Sequence, residues 1–155
     1  MTPSINQRSL YQQVILEHSK KPRHRGKTNP VHGYRRSHNP LCGDTIELTV
    51  QLNQTGDRIS DVKFEGEGCA IAIASADLMA DAVRGKSVEE ALSMVQRFRA
   101  MVMGQEQFPD DLRKLNVLQG ISQFPVRIKC ATLSWHTLKT LLESSKSAAL
   151  SRESE

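Results

Sequence analysis

Three cysteines occur in this 155-residue chain, at positions 42, 69 and 130. An odd number of thiols gives no complete disulfide framework, so each is open to three readings: buried thiol, metal ligand or reactive nucleophile. Cys42 stands two residues before Asp44, with Gly43 between them. Glycine reaches backbone angles that let the two flanking side chains turn toward one point. Three thiolates and one carboxylate would complete a tetrahedral zinc site. A divalent ion held by those donors leaves a net negative charge, and Arg127 and Lys129, close to Cys130, are the cations at hand to support it. The chain has no C-x-x-C pair and no local His–Cys cluster. On spacing alone, inert cysteines that pack as small hydrophobes therefore stand beside the metal reading.

Each cysteine falls at a junction between elements. Residues 46–52, Ile-Glu-Leu-Thr-Val-Gln-Leu, alternate apolar and polar, the pattern of a half-buried strand. A turn over Asn53–Asp57 leads to a second strand with Val62 and Phe64 on one face, which makes an antiparallel hairpin. A third strand is expected around Tyr34–His38. Cys42 lies in the loop before the first of these strands. Cys69 follows Gly66-Glu67-Gly68 and heads a helix that ends at Gly85. Ser87-Val88-Glu89-Glu90 has the form of a capping box and opens another helix, to about Met103. Asp110–Leu118 reads as a short helix. Pro125 starts the last one, with Ala131, Trp135, Leu138 and Leu142 on one face and Cys130 near its start. The first helix is expected over Ser4 to about Ser19. Partial positive charge at a helix N-terminus favours thiolate, an effect available to Cys69 and Cys130. The fold class is α+β: a small three-stranded antiparallel sheet packed with helices.

The histidines point less clearly to chemistry. His38 lies nearest the Cys42 loop and is the reserve ligand. His18, His24, His32 and His136 read as surface or structural residues, Trp135 as core, and Met79, Met94, Met101 and Met103 as packing.

Hydrophobic residues make up 38% and charged residues 25% of the chain, an ordinary globular balance that supports one core without disulfides. Residues 1–143 are expected to form one domain, and the Ser- and charge-rich stretch 144–155 to fray. Net charge is +4, with cations concentrated in Lys20–Arg36. That run reads either as a solvated loop or as a docking surface for an acidic partner. Aromatic residues do not interleave with its cations in a stacking pattern, which argues against nucleic acid. No stretch has transmembrane length, and the polar N-terminus is not a signal peptide. The expected location is a reducing cytoplasm.

Three motifs carry a family resemblance. Asn39-Pro40-Leu41-Cys42-Gly43-Asp44, Phe64-Glu65-Gly66-Glu67-Gly68-Cys69 and Phe124-Pro125-Val126-Arg127-Ile128-Lys129-Cys130-Ala131-Thr132-Leu133-Ser134-Trp135 resemble, in order, the cysteine motifs of SufU proteins. These belong to the wider IscU/NifU N-terminal (SufE/NifU-like) family. The likeness runs from about Leu10 to Leu142. Two features favour the SufU branch. The gap of about sixty residues between Cys69 and Cys130 exceeds that of IscU-type scaffolds, and Lys129 stands where those scaffolds usually carry a histidine. The resemblance implies a SufE/NifU-like fold and zinc bound by Cys42, Asp44, Cys69 and Cys130. It also implies a sulfurtransferase-type role in which Cys42 accepts persulfide sulfur from a PLP-dependent, SufS-type cysteine desulfurase. A downstream iron–sulfur scaffold would follow as a second partner. The alternatives are an iron–sulfur scaffold holding a [2Fe–2S] cluster on the same ligands, and a zinc-stabilised adaptor without sulfur chemistry.

Overall fold

A computed structural model describes the backbone of residues 5–153 and the side chains of residues 12–144. Helix α1 spans Ile5–Lys20. Strands β1 (Gly33–Asn39), β2 (Asp44–Leu52) and β3 (Ile59–Glu67) form one antiparallel sheet in the order β1-β2-β3. Helices α2 (Ala70–Val83) and α3 (Val88–Val102), a 3-10 segment over Asp110–Ile121 and helix α4 (Pro125–Glu153) follow.

The alternation in β2 sets the layers. Ile46, Leu48 and Val50 are fully buried on one face, joined by Val62 and Phe64 of β3. Helices α2 and α4 cover that face, α1 lies against α2, and α3 lies against α4. The expected face of α4 is the one that packs: Ala131, Trp135, Leu138 and Leu142 are all buried. Trp135 stacks on Phe98 of α3, with ring centroids 4.3 Å apart and planes 12° from parallel. Stacking of this kind adds to what the buried area contributes. The capping box of α3 is complete, because Ser87 Oγ accepts from the Glu90 N–H and Glu90 accepts from the Ser87 N–H.

Three sequence expectations need correction. His18 and His24 are buried, not on the surface: a His18 ring nitrogen lies 2.6 Å from Asp77 Oδ2, and the His24 N–H donates to Asp77 Oδ1 at 2.9 Å. Both are drawn in by the fully buried Asp77 carboxylate, which must find polar partners. The basic run is likewise no free loop. Gly26 N–H donates to Phe64 O, Phe64 N–H donates to His24 O, and Thr28 N–H donates to the Thr49 hydroxyl. The run is thereby laid along the outer edge of β3 and over the outer face of β2, with Arg23, Arg25 and Lys27 left exposed. Met103 closes α3 and is 55% exposed, unlike Met79, Met94 and Met101, which pack in the core. The backbone of α4 is described to Glu153; the stretch 144–155, expected to fray, falls almost wholly beyond the described side chains.

Candidate metal centre

One end of the sheet collects the three cysteine motifs. Asn39 and Asp44 pair across β1 and β2 and bracket a tight loop, with Gly43 N–H donating to Asn39 O at 2.9 Å. Gly43 has φ +72°, a left-handed angle that L side chains rarely adopt. The loop therefore presents Cys42 at its tip and returns Asp44, fully buried, to the sheet. Glu67 of β3 pairs with Thr45 at the same end, and the chain then passes through Gly68 to Cys69, the extended N-cap of α2. A Cβ on Gly68 would stand 2.6 Å from Asp44 Oδ1, so only glycine lets the third strand's exit pass so close to that carboxylate. Cys130 comes from α4, which lies across β1 and β2.

The donor atoms of Cys42, Asp44 and Cys130 all lie within 4.8 Å of one another. The Cys42 and Cys130 sulfurs are 2.7 Å apart. Cys69 is tied in through its backbone, whose N–H donates to Asp44 Oδ1 at 2.9 Å. Its sulfur stands outside the tight three-residue group. Burial pushes the Cys130 thiol well above the usual cysteine range; hydrogen bonds with Cys42, Asp44 and Cys69, and the charge on Cys69, push the same way. The helix-terminus argument holds for Cys69 alone. Cys130 is the sixth residue of α4, past the first turn where the dipole acts.

Asn39 belongs to the site although sequence reasoning gave it no role. It is buried, and its amide reaches Asp44 Oδ2 at 3.4 Å and the Cys130 sulfur at 3.9 Å. Its own carbonyl accepts the Leu41 N–H, which steadies the Cys42 loop. A second tie fixes the two cysteine-bearing helices to each other. Ser75 of α2 donates to Ala131 O at 2.6 Å, and Trp135 Nε1 donates to Ser75 Oγ at 3.1 Å.

A cleft of about 510 Å³ opens over the site, lined by Cys42, Cys69 and residues 123–127. Cys130 is fully buried beneath it. Arg127 lines the cleft, whereas Lys129 is exposed outside that lining. Leu41, Phe124 and Val126 are 62, 58 and 49% exposed around the opening. His38 is directed elsewhere, to the Thr45 hydroxyl at 2.9 Å.

The donor atoms gathered here are two sulfurs and one carboxylate oxygen, with the Cys69 sulfur beyond them; Asp44 and Cys130 are fully buried. Thiolate-rich sets of this kind suit zinc or an iron–sulfur cluster, not a hard cation such as magnesium. The residues present thus fit a bound zinc ion, with Asn39 and the Cys69 N–H orienting the carboxylate.

Comparison with known proteins gives a consistent answer. The chain is 48% identical over 141 residues to the "Zinc-dependent sulfurtransferase SufU" of Bacillus subtilis, covering 90% of this chain and 93% of that protein. It is 44% identical over 140 residues to the "Iron-sulfur cluster assembly scaffold protein IscU" of Streptococcus pyogenes, covering 90% and 86%. Among solved structures, a putative iron–sulfur cluster assembly scaffold protein for the SUF system from Fervidobacterium islandicum superposes with a TM-score of 0.75 at 34% identity, covering 86% of this chain and 97% of that one. Residues 10–131 match the family model described as the NifU-like N terminal domain. This chain, with its three-stranded sheet and its cysteine-lined end, therefore belongs to the NifU-like N-terminal domain family.

Proposed function

We propose that this protein is a zinc-dependent sulfur carrier that takes persulfide sulfur from a cysteine desulfurase for iron–sulfur cluster assembly. The observation that carries the reading is the division of labour among the cysteines. Cys42 sits on a hairpin tip at an open cleft, and Cys130 is sealed beneath it. The likeness to a protein named as a zinc-dependent sulfurtransferase supports it. A zinc ion on Cys42, Asp44, Cys69 and Cys130 would hold the thiols as thiolates.

In the transfer itself, the Cys42 sulfur attacks the outer sulfur of the desulfurase's cysteine persulfide. The bond between that sulfur and the desulfurase cysteine breaks, the desulfurase thiolate departs, and Cys42 carries the persulfide. The hairpin loop is the part of the site best able to move, since Cys69 and Cys130 are fixed on helices. Exposed Leu41, Phe124 and Val126 supply an apolar rim for a protein partner, and Arg127 meets the anionic persulfide. The chemistry suits a reducing cytoplasm, and among the described residues no helix is long and apolar enough to cross a membrane.

The second reading is a [2Fe–2S] scaffold on the same four donors, favoured by relatives named as scaffolds. Metal analysis of anaerobically purified protein decides between them. Stoichiometric zinc without visible absorption, together with faster desulfurase turnover, supports the carrier. A brown protein with acid-labile sulfide supports the scaffold.

A further inference from the structure

The basic run between α1 and β1 supplies no group to the cysteine site, but the fold gives it a definite order. From Lys21 to Thr28 exposure alternates. Lys21, Arg23, Arg25 and Lys27 are exposed, Pro22 and Gly26 are half-buried, and His24 and Thr28 are buried. The inward residues are tied down in turn. The His24 N–H donates to Asp77 Oδ1 at 2.9 Å, and its ring nitrogen lies 3.3 Å from Asp81 Oδ1. Gly26 bonds the β3 backbone, and the Thr28 N–H donates to the Thr49 hydroxyl at 2.9 Å. The cations between them therefore project from a fixed backbone.

Their charge is little answered within the chain. Arg25 has Glu65 at 4.0 Å, an exposed and weak pairing. Among the described residues Lys21, Arg23 and Lys27 make no ion pair. The row also approaches the cysteine end of the sheet, since Arg25 donates to Gly66 O at 3.2 Å, three residues before Cys69.

We infer that Lys21, Arg23, Arg25 and Lys27 form a docking row for an acidic surface of the cysteine desulfurase. This rests on the sulfur-carrier reading and deepens it, because it assigns the partner a second contact beyond the apolar rim. A solvated loop of the same composition would have to be ordered on binding, whereas this row is already held in place. Charges of this kind attract an oppositely charged partner at a distance, so they act on the rate of association more than on the lifetime of the complex. The occupant is a protein surface, since no aromatic residue stands between the four cations to stack a base.

The test measures binding of the full-length zinc-loaded protein to a cysteine desulfurase by surface plasmon resonance, without cysteine, so that no sulfur moves. The triple variant Lys21→Glu, Arg23→Glu, Lys27→Glu leaves Arg25 and every inward tie in place. A second triple variant, Arg99→Glu, Arg113→Glu, Lys114→Glu, makes the same change in net charge on exposed positions of α3 and the 3-10 segment. At about 0.05 M salt the first variant should associate roughly tenfold more slowly than wild type, with its dissociation rate little changed. That gap should close at about 0.5 M salt, where screening is strong. Exchanging the three residues conservatively, as Lys21→Arg, Arg23→Lys, Lys27→Arg, should restore the wild-type rate. In a desulfurase turnover assay the first variant should raise the half-saturating concentration and leave the rate at saturation unchanged. The inference alone is overturned if wild type binds and the first variant associates as fast, if the second variant slows association equally, or if the first variant loses only binding to a single-stranded oligonucleotide. Wild-type protein that does not bind the desulfurase at all would overturn the carrier reading together with it.

Discussion

The backbone N–H of Cys69 donates to Asp44 Oδ1 at 2.9 Å, joining the second cysteine motif to the first. One carboxylate thus serves as a candidate ligand and as the clasp between the β1–β2 hairpin and the N-terminus of α2. Asp44→Asn keeps an oxygen for the Cys69 N–H and removes the charge. The expected outcome is a folded protein, by far-UV circular dichroism, whose zinc affinity in chelator competition falls by at least about tenfold.

Gly68 makes that clasp possible. In Gly68→Ala the new methyl would stand 2.6 Å from Asp44 Oδ1 and 3.1 Å from Asp44 Cβ. The carboxylate has no room to retreat, being fully buried. The expected cost is about 1–3 kcal/mol of unfolding free energy in urea melts, the range for forced overpacking. Zinc content on purification should fall with it.

Part of this was legible in the residues. The alternation over Ile46–Leu52 and the capping box at Ser87 gave the elements at nearly their observed bounds, because each is a local pattern with a local physical cause. The cysteines and Asp44 were recognisable by type and motif. What brings them together was not, since the hairpin register and the crossing of α4 over β1 are non-local. Asn39 escaped for the same reason: a polar residue before a proline looks like a turn residue until its amide is seen between Asp44 and Cys130. His18 and His24 were misplaced because flanking cations suggest solvent, while the partner that buries them, Asp77, lies more than fifty residues away.

That buried group predicts a stability effect remote from the site. Replacing His18 by Leu removes the side-chain partner of Asp77 Oδ2 and leaves its carboxylate with the His24 N–H. A buried polar group stripped of a partner costs about 1–3 kcal/mol. Urea denaturation should show that loss, with zinc binding little changed because α2 still presents Cys69.

The Ser75 hydroxyl couples α2 to α4, the helices that carry Cys69 and Cys130. Ser75→Ala leaves the Trp135 N–H buried without its acceptor. A loss of about 1–3 kcal/mol is expected, visible as a lower midpoint in a melt followed by Trp135 fluorescence.

The exposed rim makes a prediction about partners. Leu41→Ser and Phe124→Ser remove apolar surface at the opening without touching a donor atom. Their combined effect should weaken desulfurase binding by about 1–3 kcal/mol, as for anchor residues of an interface. Zinc stoichiometry should stay at the wild-type value. Titration calorimetry and metal analysis on the same preparations check both.

The most direct test of the account is to locate the transferred sulfur. The protein is incubated with a cysteine desulfurase and cysteine, alkylated, digested and mapped by mass spectrometry. One added sulfur on the peptide containing Cys42 is the predicted result. Sulfur found first on Cys69 or Cys130, or none on any cysteine, would contradict the assignment of Cys42 as the acceptor.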